Sequence, residues 1–160
     1  MTIRLSRPAC LIALAAALSA ATAVWAQDAP PFQSETKARQ GLMQMNALNI
    51  AILGKMAKGE MPYDAAQAKA AADALAGVYA LDLPMLWPAG SDNGAVKGTN
   101  ALPAIWAEGS DIGAKVEGWG KAVAAMQTAA PESLDSLKAA MEPLGGACGS
   151  CHKAFRASSG

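Results

Sequence analysis

The chain has 160 residues, enough for one domain with a substantial core, and its 13 Lys and Arg balance 13 Asp and Glu. That balance gives no electrostatic case for nucleic acid or an anionic membrane surface as a partner. Aromatic residues make up only 5% of the chain, Ala is abundant and β-branched residues are few, which favours helix throughout.

The first 26 residues read as an export signal. Arg4 and Arg7 form a basic start, Ala9 to Val24 is uncharged and mostly Ala and Leu, and Val24-Trp25-Ala26 ends in a small residue. Cleavage is expected before Gln27, with an earlier cut after Ala23 as the other choice. The apolar run is short for a membrane anchor, and no other segment is apolar enough to span. Cys10 leaves with the signal, so the expected domain, residues 27–160, keeps two cysteines and carries two more acids than bases.

Gln27 to Pro31 reads as a short lead. Ser34 is the expected N-cap of a first helix over Glu35–Lys58 that stops at Gly59. Leu42, Met45, Asn49, Ile52 and Met56 form one stripe on it, and Met43, Ala47, Ile50 and Leu53 a neighbouring one, together a wide face suited to burial. Asp64 is expected to cap a second helix to about Leu81, with Ala68, Ala71, Leu75 and Val78 inward. Asp82 to Pro103 is punctuated by Pro84, Pro88, Gly90, Asp92-Asn93-Gly94 and Gly98, and so reads as a long loop with a functional or crossing role. A short helical turn holds Ile105 and Trp106. Ser110 is expected to cap a third helix, with Ile112, Val116, Trp119, Val123 and Met126 at helical spacing. Ser133 opens a fourth, with Leu134, Leu137, Met141 and Leu144 inward and Pro143 a candidate kink. Four amphipathic helices predict an all-α antiparallel four-helix bundle.

Near the end of the fourth helix stands Cys148-Gly149-Ser150-Cys151-His152, the C-x-x-C-H pattern of covalent c-type haem attachment. Two thiols must reach two vinyl groups on one porphyrin edge, and the next residue must present an imidazole to the iron. Positions i, i+3 and i+4 of a helix put all three on one face. A redox dithiol would ordinarily follow a strand, and none is predicted. A zinc site needs four ligands, and there is no second Cys or His cluster. A structural disulfide is the third alternative. His152 is the sole histidine of the chain and directly follows the second Cys. Haem c is attached outside the bacterial inner membrane, in keeping with the export signal. Gly145 and Gly146 precede the motif, where close backbone approach to a porphyrin would be useful.

These features resemble the class II c-type cytochromes, the cytochrome c-prime family, in which C-x-x-C-H lies close to the C-terminus. The resemblance spans essentially all of residues 27–160. It rests on Arg39-Gln40 with Met43, on Lys58-Gly59-Glu60-x-Pro62-Tyr63-Asp64, on Trp87-Pro88-Ala89-Gly90, on Pro103-x-Ile105-Trp106, and on Cys148-x-x-Cys151-His152-x-x-Phe155-Arg156. It implies one covalent haem c held by Cys148 and Cys151, with His152 as proximal iron ligand. Most of the family resembles five-coordinate, high-spin proteins with an apolar distal face. A low-spin branch takes a methionine of the first helix as sixth ligand, and this chain looks closer to that branch, with Met43 at the ligand position. Spacing alone leaves the matter open, because Met43 and Met45 point about 200° apart and either stripe could face the haem.

The resemblance also places Arg39 against a haem propionate, where one turn before Met43 its guanidinium could pair with the carboxylate. Gln40 and Asn100 match further haem contacts. Phe155 departs from the tyrosine common in five-coordinate members, and Trp106 and Trp119 read as packing residues. The expectation is a periplasmic electron-transfer protein rather than an enzyme, since the only histidine is proximal and none remains for distal acid–base work. The alternative is a five-coordinate binder of nitric oxide or carbon monoxide. Redox proteins of unknown identity are the expected partners, and a homodimer through the first helix is compatible with its broad apolar face.

Overall fold

Helix is what this composition favours, and four helices carry residues 31–158, the part that the computed structural model describes. The expected export signal over residues 1–26, with its cleavage before Gln27, lies outside the described residues. Helix α1 spans Gln33–Lys58, α2 Ala65–Ala80, α3 Ile112–Ala129 and α4 Leu134–Phe155. Between α2 and α3 the chain makes two short 3₁₀ turns, Pro84–Leu86 and Pro103–Trp106, each opened by the proline whose fixed φ suits a helical start. The described residues include no strand.

Several ends are set by local chemistry, as expected. Gly59 takes a left-handed φ of 74° and its amide donates back to Lys55 O and Met56 O, closing α1. Asp64 accepts from Gln67 N at 2.8 Å, and Ser133 from Ser136 N at 3.1 Å, each satisfying an otherwise unpaired amide of a first turn.

Two expected caps are corrected. Ser34 lies inside α1, which starts one residue earlier, after Phe32 in a left-handed conformation with φ 58° and no side-chain cap. Phe32 Cε2 lies 4.0 Å from where a Cβ on Gly90 would be, so packing against the long loop accompanies this start. Ser110 does not occupy the cap of α3. Asp111 does, with its carboxylate turned to Lys115 at 3.6 Å, while Ser110 Oγ takes only a long 3.4 Å bond from Ile112 N. Pro143 does not end α4, which runs through it to Phe155.

Each helix packs on its neighbours in a ring, α1 on α2, α2 on α3, α3 on α4 and α4 back on α1. The pairs are antiparallel. Gln127 Nε2 donates to Asp73 Oδ1, and a Cβ on Gly120 would fall 2.6 Å from Tyr79 Oη, so α3 descends as α2 climbs. The core is Leu53, Met56, Ala68, Ala71, Ala72, Leu75, Val123, Met126, Ala130, Leu137 and Leu144. It sits toward the end of the bundle where the α1–α2 and α3–α4 turns lie, and Tyr63 Oη stitches those turns by donating to Ala130 O at 2.9 Å.

The expected burial of the whole apolar face of α1 is corrected by this asymmetry. Asn49, Leu53 and Met56 are buried, yet Met43 and Met45 remain 46% and 48% exposed, and Leu48 is exposed too. Val116 of α3, expected inward, is likewise exposed, and Val78 is half-buried. The core therefore leaves the other end of the bundle partly uncovered.

Candidate functional site

The uncovered end is where the attachment motif stands. Between Leu144 and Phe155, α4 has no buried residue, and Cys148, Cys151 and His152 sit there half-buried on one face. Both thiols are free, and among the described residues no group of three or more His, Cys, Asp or Glu is placed to hold a metal ion. Burial pushes both thiols above their ordinary range; for Cys151 the neighbouring Cys148 adds to this, and Lys115 partly opposes it. Burial, reinforced by Arg156 one turn on, holds His152 below the ordinary imidazole range, favouring the neutral form that ligates metals.

Helix α1 faces the motif in a definable register. A Cβ on Gly54 would lie 3.7 Å from Met141 Cε, so these residues share a level of the antiparallel α1–α4 pair. Both helices rise by the same step per residue. Eleven residues back along α1 and eleven forward along α4 lead to Met43 and His152, which therefore stand level to within about one turn. Met43 lies one turn past buried Arg39, and Met45 stands about 200° round the helix from Met43.

Arg39 is 4% exposed, an unusual fate for an arginine. Its Nη1 donates to Ser91 Oγ at 2.9 Å, its Nη2 to Ser91 O at 3.0 Å and to Thr36 Oγ1 at 3.1 Å. The guanidinium carbon lies 4.7 Å from the centre of the Trp87 ring, a cation–π arrangement. Trp87 in turn packs on Trp106, whose Nε1 donates to Trp87 O. Burial lowers the affinity of Arg39 for its proton, with Glu35 partly opposing, yet a guanidinium stays charged in any protein. It is a buried cation whose hydrogen-bond partners among the described residues are all neutral, and two of its five N–H donors remain free for an anion.

Gln40 is exposed and donates from Nε2 to Gly98 O at 2.6 Å. Asn100 is exposed, and its backbone oxygen accepts from Ala157 N at 2.8 Å. With Leu102 N donating to Phe155 O and the Ala101–Arg156 bridge, the loop grips α4 just beyond His152 while Ser91 grips α1. All seven residues singled out in the sequence therefore belong to one end of the bundle. One residue the sequence reading passed over joins them. Asn46, one turn past Met43, carries a fully buried Oδ1 with no hydrogen-bond partner. The signal for it was an amide at helical spacing within an apolar stripe.

These residues fit haem c. The paired thiols and imidazole share one helix face at the attachment spacing, the exposed Met43 and Val116 offer apolar cover for a porphyrin, and Arg39 offers the counter-charge for a propionate. Fold and site together define a c-type haem-binding four-helix bundle.

Comparison with known proteins agrees. The family described as Cytochrome C' matches residues 34–156. Cytochrome c-554 of Cereibacter sphaeroides is 43% identical over 150 residues, covering 94% of this chain and 97% of the relative. The solved cytochrome c' from Rhodobacter spheroides superposes with a TM-score of 0.77 at 41% identity, over 80% of this chain and 98% of that one. The nitric oxide complex of a point mutant of cytochrome c prime from Alcaligenes xylosoxidans does so with a TM-score of 0.69 at 29% identity, over 79% and 97%. The chain belongs to the cytochrome c' family, whose members carry haem c bound covalently through cysteines, here Cys148 and Cys151.

Proposed function

We propose that the protein is a periplasmic electron carrier whose single haem iron is ligated by His152 and Met43. The observation that carries this reading is the shared level of Met43 and His152, to within about one turn, on facing antiparallel helices, together with the partial exposure of Met43 at that end of the bundle. A haem bound there would supply a one-electron couple; the chain would supply His152 and Met43 as iron ligands, an apolar wall and the charge of Arg39. A thioether and an imidazole that stay bound in both oxidation states leave little to rearrange when an electron arrives, which suits outer-sphere transfer. Cys148 and Cys151 tether the group, His152 orients it from α4, and Arg39 compensates a propionate. Gln40 and Asn100 border the same face from α1 and the loop.

Periplasmic residence rests on the sequence of residues 1–26 and on the family. No helix among the described residues is long and apolar enough to cross a membrane. The exposed Met45 and Leu48 on α1 are compatible with a homodimer through that helix.

A second reading has its own support. A family relative was solved as a nitric oxide complex, and an open sixth position would let this chain bind nitric oxide or carbon monoxide too. Absorption spectra of oxidised and reduced protein separate the two. A low-spin ferric spectrum with a weak near-infrared sulfur-to-iron band is expected. High-spin spectra in both states would overturn methionine ligation and make gas binding the function.

A further inference from the structure

Arg39, Met43, Asn46, Asn49 or Ile50, and Leu53 follow one another along the inward side of α1 at three- and four-residue steps. Two of them are amides set among apolar side chains. Asn49 is accounted for: it is buried, and its Nδ2 donates to Met45 O at 2.8 Å within its own helix. Asn46 is not. Its Oδ1 is fully buried and has no hydrogen-bond partner among the described residues. A buried acceptor left unpaired lowers stability, and a Leu of similar size would fill the same place without that cost. By the register fixed at Gly54 and Met141, Asn46 stands within about one turn of the level of Gly149, in the stretch of the facing helix that carries the two attachment cysteines. Glycine has no side chain to answer the amide, and an added Cβ at Gly149 would meet nothing within 4 Å. Among the described residues Oδ1 of Asn46 therefore has no partner, and it stands on the helix that faces the attachment motif, where a haem held by Cys148 and Cys151 would be met.

We propose that Asn46 is a distal polar residue that hydrogen-bonds a small ligand at the sixth position of the iron when Met43 does not hold it. A half-turn of the amide exchanges Oδ1 for Nδ2–H, so one side chain answers either a donor such as water or an acceptor such as the outer atom of a diatomic gas. Met43 and Asn46 thus form a pair one turn apart: the thioether closes the position, and the amide sets which ligand replaces it. A wholly apolar distal face would treat neutral diatomics alike, whereas an N–H donor favours those whose outer atom gathers negative charge. The inference rests on haem attachment but not on methionine ligation, and it deepens the gas-binding reading of the same site.

The test is the carbon monoxide stretch of the reduced, haem-loaded Met43→Ala protein, compared with the Met43→Ala, Asn46→Leu double variant. An N–H donor at the ligand lowers that frequency, so the double variant should show a higher one and release carbon monoxide several-fold faster. Asn46→Gln in the same background should recover part of the shift, which a packing role would not do. Should the Leu variant fold poorly, the Met43→Ala protein alone decides the matter in H₂O and D₂O, because a donated exchangeable proton makes the stretch isotope-sensitive. Identical frequencies in all of these proteins and solvents would overturn the proposal. If wild-type protein itself binds carbon monoxide readily, methionine ligation fails, and the same comparison made in the wild-type background still decides Asn46.

Discussion

Met43→Ala separates a ligand from a space-filling side chain because its packing cost is calculable. Complete burial of a methionine contributes about 1.5–3 kcal/mol. With Met43 at 46% exposure, only about half its surface lies against protein, so truncation to Ala should cost on the order of 1 kcal/mol through packing. Met45 is 48% exposed and on the same helix, so Met45→Ala supplies a matched control with nearly the same packing loss. Met126 is 0% exposed and belongs to the core, and Met126→Ala should cost about 2–5 kcal/mol with no change at the haem. Urea titrations of the three haem-loaded variants, read beside their ferric and ferrous spectra, make the assay. If the Met43 thioether is bound to iron, Met43→Ala loses clearly more stability than Met45→Ala. It should also lose the near-infrared sulfur band, become high-spin and shift to a lower reduction potential, since a thioether favours ferrous iron. Equal losses for Met43→Ala and Met45→Ala, with unchanged spectra, would refute the argument from register and exposure.

Replacing both Cys148 and Cys151 by Ser should abolish covalent attachment, so that acid–acetone extracts the pigment; porphyrin that stays with the denatured chain would contradict the assignment. Gly120→Ala places a methyl group 2.6 Å from Tyr79 Oη, and the Tyr79 ring, stacked edge-on against Trp119 at 5.5 Å, must move. The overpacking cost of about 1–3 kcal/mol outweighs or cancels the helix-propensity gain of about 1 kcal/mol, so thermal unfolding should show no stabilisation. Asp73 is held below the usual carboxylate range by hydrogen bonds from Lys69 and Gln127. Its contribution is present above the unfolded-state value and lost as pH falls through the lower folded one. Asp73→Asn should therefore lower the urea midpoint slightly near neutrality, with the gap closing in acid, and a gap constant with pH would count against the pairing.

What the sequence revealed well were features whose cause is local. Gly59, Asp64 and Ser133 act within a turn of their own positions, and Leu137 and Leu144 repeat at the helical period, so each was legible without the fold. The start of α1 was not, because Phe32 packs toward Gly90, a residue far along the chain, and no short-range signal carries that. Asp111 rather than Ser110 holds the cap position of α3, and its carboxylate lies beside Lys115 instead of on the first-turn amides. Arg39 was legible as a residue of interest but not as a buried one, since its burial depends on Ser91 and Trp87 of the loop. Met43 and Met45 were indistinguishable by spacing and are alike in exposure; what sets Met43 apart is its place one turn beyond buried Arg39. Asn46 escaped because an amide in an apolar stripe gains meaning only once its partners have been counted.

The loop between α2 and α3 also bears on how the family can vary in length. Ser91 is fixed to Arg39 on α1, and nine residues on, Asn100 is fixed to Ala157 just past α4, with Asn93 N bonded to Ala101 O between them. Both ends of that segment are anchored, one to each of the helices that face each other across the site. A residue inserted or deleted between Ser91 and Asn100 has nowhere to be absorbed, and would displace the buried guanidinium, the last turn of α4, or both. Gains and losses of residues among natural relatives should therefore avoid the segment from Ser91 to Asn100.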